Sequence, residues 1–114
     1  MKYKVAFASS DGKMVNQHFG KAKAFHIVEV DEEKKEYQYL ETRENKPCCN
    51  NFEHSDKDLD NSVRLINDCV AVFVLKVGRG AQIKLISQGI KAIEAPYFIC
   101  DILDELIGKE EENE

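Results

Sequence analysis

Val70-Ala71-Val72-Phe73-Val74-Leu75-Lys76-Val77 is almost continuously apolar, and Gly78-Arg79-Gly80 follows it directly. β-Branched residues without polar alternation predict a central strand buried on both faces. The glycine turn leads into a helical pattern over 81–88, with Gly89 at the expected C-terminal cap. Ile90 to Glu94 reads as a short strand. After Pro96 a third helix is predicted, with Ile99, Ile102, Leu103 and Leu106 on one face and Gly108 as its stop. Before the apolar stretch, Ser55-Asp56-Lys57-Asp58 resembles a capped helix start. Leu59, Val63 and Ile66 then recur at helical spacing, giving a helix over about 56–67. Helices alternating with strands demand parallel strands and right-handed crossovers.

The first half reads differently. Tyr3 to Ser9 alternates Tyr3, Val5 and Phe7 against Lys4, Ala6 and Ala8, so both faces are covered. Ser9-Ser10-Asp11-Gly12 stops this strand with turn chemistry. A long loop, Ser10 to Lys23, precedes a second strand from Phe25 to Val30. Asp31 to Lys35 is a charged turn, and Tyr37 to Arg43 is a third strand. Its alternation places Tyr37, Tyr39 and Glu41 against Gln38, Leu40 and Thr42, and its polarity suits a sheet edge. The short turn implies an antiparallel hairpin. Glu44 to His54 is a second irregular loop, because Pro47 and the Asn50-Asn51 pair exclude regular structure. The order β-β-β-α-β-α-β-α predicts an α/β fold with a five-stranded mixed sheet. We expect one domain over 1–108, with 109–114 as an acidic, disordered tail.

The 114 residues are 43% hydrophobic and 32% charged, enough for a core without metal or disulfides. No apolar run is long enough to span a bilayer, and no signal-peptide pattern opens the chain. A cytoplasmic location is expected, with its cysteines as thiols. The net charge of −5 and the lack of a basic stripe argue against nucleic-acid binding.

Two loops carry donor side chains. In Val15-Asn16-Gln17-His18-Phe19-Gly20, His18 is either a ligand or a loop histidine bonded to its own backbone. Asn16 and Gln17 either hold an anion or close the loop. In the second loop, Cys48 and Cys49 are too strained to pair with each other. With His54 they form a donor set suited to iron–sulfur, copper or zinc, or they are two tolerant surface thiols. Arg79, in a glycine turn opening a helix, sits at an anion-receptive place, or is a solvated arginine. If the first and central strands are parallel, Arg79 and the His18 loop share one sheet edge, where open α/β sheets bind ligands. Cys69 and Cys100 are read as core residues and His26 as a satisfied structural histidine. The motifs of serine hydrolases and zinc proteases are missing, and the first strand lacks the inward carboxylate of a two-metal nuclease.

The strings Val5-Ala6-Phe7-Ala8-Ser9-Ser10-Asp11-Gly12, Val15-Asn16-Gln17-His18-Phe19-Gly20 and Ala24-Phe25-His26-Ile27-Val28 resemble the opening of the dinitrogenase iron–molybdenum cofactor biosynthesis family. Asp68-Cys69-Val70-Ala71-Val72, Val77-Gly78-Arg79-Gly80 and Gly89-Ile90 are similar to its second half. The resemblance spans roughly residues 3 to 107. It implies a three-layer α/β/α ribonuclease-H-like fold and a non-enzymatic role. The implied cargo is a metal–sulfur cluster: an iron–molybdenum cofactor precursor, or a related iron–sulfur or molybdenum/copper–sulfur cluster. His18 would be the family's ligand, and the Cys48-Cys49 loop departs from the family pattern. The expected partners are cluster donor or acceptor proteins, with neither nucleic acid nor membrane, for a monomer or weak homodimer. The rival readings are a metal-free interaction module and a ribonuclease-H-like hydrolase.

Overall fold

A computed structural model describes residues 2–45 and 56–108. Cys48, Cys49, His54, the Ser55–Asp58 cap and the 109–114 tail fall outside these residues or their described side chains. The elements are β1 (Lys2–Ala8), β2 (Ala24–Asp31), β3 (Glu36–Glu44), α1 (Asp56–Leu65), β4 (Ala71–Val74), α2 (Arg79–Ser87), β5 (Lys91–Glu94) and α3 (Ile99–Leu106). One turn of 3-10 helix, Phe19–Lys21, lies within the first loop. The five strands form one mixed sheet in the order β3-β2-β1-β4-β5. β1 pairs parallel with β4 and antiparallel with β2; β4 and β5 are parallel; β2 and β3 form the antiparallel hairpin.

Strand alternation divides the core into two layers. Ala6, Ala8, Phe25, Ile27, Val72 and Val74 face α1 and α2, against Val63, Ile66, Ala81 and Leu85. Val5, Phe7, Val28, Val30, Ala71 and Phe73 face α3, against Ile99, Ile102 and Leu103. Phe7 and Phe73, paired across β1 and β4, stack at 5.0 Å. α2 ends in a Schellman cap: Ile90 N–H bonds Leu85 O and Gly89 N–H bonds Ile86 O, both at 2.9 Å. Gly89 has φ +78°, which explains the glycine there.

Three expectations are corrected. The central strand is shorter than Val70–Val77. Val70 is exposed, and Leu75 to Val77 leave the β5 ladder to bond elsewhere. Arg79 and Gly80 belong to α2 rather than to a preceding turn, with Gly78 as the cap. Third, β3 carries a bulge. Tyr39 pairs with Val28 but Glu41 with Ile27, so Leu40 is the extra residue. Downstream faces therefore invert: Thr42, not Glu41, shares a face with Tyr37 and Tyr39.

The inversion turns Arg43 toward α1. Its guanidinium forks onto Asp68, Nη1 to Oδ1 at 2.7 Å and Nη2 to Oδ2 at 2.9 Å. It also donates to Leu65 O at 3.0 Å and to Glu41 Oε2 at 2.8 Å. Lys4 reaches Asp68 Oδ2 at 3.2 Å. These bonds pin the edge strand to the end of α1 and hold the Asp68 carboxyl well below the usual range, chiefly through Arg43. A group held low binds fewer protons in the folded chain than in the unfolded one, so its contribution is lost as pH falls. Arg43→Ala is expected to cost about 1–2 kcal/mol at pH 7 in urea unfolding. Between about pH 5 and 2, wild type should lose more stability than the variant, whose Asp68 keeps only the weaker Lys4 partner and is held less far below its ordinary range.

Candidate functional site

β1 and β4 end level with one another, at Ala8 and Val74, leaving backbone groups of Leu75 and Lys76 without a partner from β1. The first loop supplies one. Leu75 N–H donates to Gln17 O and Phe19 N–H donates to Lys76 O, both at 2.9 Å. His18 and Lys76 thereby form a parallel bridge. Earlier in the loop, Met14 bridges Phe98, Val15 N–H bonds Tyr97 O at 3.0 Å and Ile99 N–H bonds Lys13 O at 2.8 Å. Two fully buried side chains fix the loop on opposite sides of the sheet: Val15 in the α3 layer and Phe19 in the α1/α2 layer. Asn16, Gln17 and His18 span the sheet edge between these anchors.

The loop's polar groups mostly serve its own shape. Buried Ser9 Oγ accepts from Gly12 N–H at 2.9 Å and donates to Asp11 Oδ1 at 3.0 Å. Asp11 accepts from the N–H groups of Lys13 and Met14, which hold its carboxyl below the ordinary range. Asn16 exchanges two hydrogen bonds with Ser10, and Gln17 Oε1 accepts from Lys23 N–H, all at 3.0 Å. Both amides thus close the loop. His18 differs. It is exposed, its backbone is extended (φ −72°, ψ 148°), and its imidazole has no hydrogen-bond partner among the described residues.

His18 faces a cleft of about 400 Å³ lined also by Gly20, Lys21, Lys76, Val77, Gly78, Gly80 and Ala81. The cleft lies where β4 passes into the N-terminus of α2, whose free N–H groups and dipole favour anions. Two lysines reinforce that preference. Arg79 opens α2 and is exposed beside the cleft, but is not among its lining residues. Glu94 Oε2 accepts from Val77 N–H at 3.1 Å and fixes the loop entering α2. Lys21, Lys76 and Glu94 escaped the sequence reading; Lys76, as the lone charge in the apolar stretch, was the signal available. Among the described residues no three His, Cys, Asp or Glu side chains gather into a metal-holding group.

The remaining candidates separate clearly. His26 is satisfied on both nitrogens, Nε2 with Ser9 O at 3.2 Å and Nδ1 with Thr42 Oγ1 at 3.0 Å. Cys69 is a core residue, and burial pushes its thiol up to about 12. Cys100, expected in the core, is exposed. It lies one residue off the Ile99–Ile102–Leu103 stripe, on the flank of α3 rather than under it.

The fold and cleft define an α/β domain with an anion-receptive, histidine-bearing edge. The sequence model of the family described as "Dinitrogenase iron-molybdenum cofactor" matches residues 1–109, and the chain belongs to that family. It is 32% identical over 108 residues to FeMo cofactor biosynthesis protein NifB of Frankia alni, covering 92% of this chain and 20% of that protein. It is 35% identical over 97 residues to Protein NifX of Azotobacter vinelandii, covering 80% of this chain and 55% of NifX. The chain therefore spans about a fifth and about half of these relatives. The crystal structure of PH0822 shares the fold, with TM-score 0.71 at 22% identity, covering 92% of this chain and 90% of that one.

The two described cysteines should react very differently. Alkylation of the native protein at pH 8, read by peptide mass spectrometry, should label Cys100 within minutes. Cys69 should be labelled only in denaturant.

Proposed function

We propose that this chain binds and carries a metal–sulfur cluster and catalyses no reaction itself. The cargo would be an iron–molybdenum cofactor precursor or a related iron–sulfur or molybdenum/copper–sulfur cluster. The observation that carries this reading is the His18 imidazole, without a hydrogen-bond partner among the described residues and held by backbone bonds and two buried anchors at a cleft lined by Lys21 and Lys76. Neutral imidazole suits a metal of the cluster, and lysines with a helix N-terminus suit its negative charge. Family membership, with relatives named for FeMo cofactor biosynthesis, supports the same cargo.

His18 is the proposed metal ligand, with Cys48, Cys49 and His54 completing the donor set from the second loop. Arg79 steadies the anion from beside the cleft. Asn16 and Gln17 act mainly through the loop they close. A donor set spread over two loops suits a protein that must release what it holds. The sheet order, with its antiparallel hairpin beside three parallel strands, supports the ribonuclease-H-like assignment. We place the protein in the cytoplasm, as a monomer or weak homodimer, exchanging its cluster with donor and acceptor proteins. The net charge of −5 speaks against nucleic acid as a partner.

Anaerobic reconstitution with iron, sulfide and molybdate, followed by gel filtration and metal analysis, tests this. Wild type should retain metal and visible absorption. His18→Ala should weaken retention by at least the ~10–100-fold that losing even a supporting contact costs a metal site. Lys76→Ala should weaken it about tenfold, more at low salt. Cys48→Ala/Cys49→Ala should also release metal. Wild type retaining none would refute the carrier; equal retention in His18→Ala would refute the site. Cleavage of an RNA–DNA hybrid with added Mg²⁺ should be absent.

A further inference from the structure

The two faces of the sheet are covered unequally. Among the described residues, α1 and α2 pack on one face and α3 on the other. Five strands span roughly 20 Å, and a packed helix covers about 10 Å. The α3 layer buries the side chains of β1, β4 and of Val28 and Val30 on β2, while the side chains of β3 stay largely exposed. A groove of about 640 Å³ remains there, walled by Tyr37, Tyr39 and Phe98 on β3 and the α3 entry, with Cys100 and Leu103 on the α3 flank.

The floor of this groove is apolar in effect although it contains polar atoms. His26 Nε2 is bonded to Ser9 O, and Nδ1 to Thr42, whose hydroxyl meets the Tyr39 hydroxyl. These bonds use both imidazole nitrogens and the Thr42 hydroxyl, so these groups are not free to orient a small polar ligand. It offers aromatic surface instead: Tyr39 is 55% exposed and Phe98 51%. The ends carry opposite charges. Lys13 lines one end and has no ion-pair partner among the described residues. Asp104 lies near the other, close enough to Tyr37 for its charge to act on the phenol.

We propose that this groove receives one amphipathic helix of a partner protein in the vacant position beside α3. With Leu40 bulged out, Tyr37 to Thr42 spans four ladder steps, roughly 13 Å, the length of about nine helical residues, or two and a half turns. The helix presents apolar residues at i, i+3, i+4 and i+7 to Tyr37, Tyr39 and Phe98. Its first turn is acidic and meets Lys13; its last is basic and meets Asp104. That charge order is also the one that stabilises an isolated helix.

The chain has no tryptophan, so a peptide's tryptophan can be watched alone. The probe is a designed twelve-residue helical peptide with leucines and one tryptophan on the apolar face, glutamates in the first turn and lysines in the last. Wild type should give a saturable blue shift. Tyr39→Asp and, independently, Phe98→Ser should each weaken binding at least tenfold while circular dichroism stays unchanged. Lys13→Glu should weaken it several-fold at low salt, and a leucine-to-serine peptide should not bind. No saturable shift, or equal binding by Tyr39→Asp and Phe98→Ser, would overturn the proposal. So would sedimentation showing a wild-type dimer that Tyr39→Asp dissolves, since a second copy would then occupy the groove.

Discussion

The parallel pairing of β1 with β4 is the constraint on which the rest depends. Its two strands stop together, Ala8 level with Val74, and the peptide groups of the chain that continues past Val74 need partners. The chain meets that need by bringing Gln17 to Phe19 back beside Leu75 and Lys76, in the direction β1 would have taken. Residues four apart on a regular strand would share a face, yet Val15 and Phe19 enter opposite cores, so the loop crosses the end of the sheet between them and His18 is left at the rim beside the Phe19 anchor. Its position follows from backbone hydrogen bonding and apolar anchoring, with no contribution from its own imidazole.

A side chain placed that way is preorganised without being consumed. The same pairing carries Lys76 to the rim and delivers the chain from β4 into α2, so the helix N-terminus opens beside the histidine. In a chain with net charge −5, this is a local positive spot. Attraction of an anion to such a spot is short-ranged at physiological ionic strength, because salt screens it beyond about a Debye length, ~8–10 Å. Affinity at the cleft must therefore come from direct contact, and long-range steering contributes little.

The parallel half of the fold was legible because a run of β-branched apolar residues strongly favours a buried strand and a glycine after a helix marks a left-handed cap that other residues rarely adopt. The first loop also pointed to a site, through its length and the histidine in its polar stretch. Three features stayed hidden for physical reasons. The bulge at Leu40 is set by pairing with β2, and period-2 alternation along β3 alone cannot reveal it. The exposure of Cys100 depends on how far α3 extends over the sheet, a tertiary quantity. The use of Asn16 and Gln17 in loop closure depends on Ser10 and Lys23, contacts that residue type does not specify.

The bulge has a further effect, on how the two faces relate. By inverting β3 after Leu40, it sends Arg43 to α1 on one face and Thr42 to His26 on the other. The edge strand is thus fixed from both sides, and the groove beside α3 keeps its shape without a second helix. Lys13, at the groove, and His18, at the cleft, lie on one loop but are held through different cores, by Val15 and by Phe19. Sites supported by separate packing contacts couple weakly, and their energies add to first order. On the proposed carrier function, a partner at the groove would bind whether the cleft is loaded or empty. Discrimination between the two states would then have to come from the cargo itself, or from the charge it adds at the α2 end of the sheet.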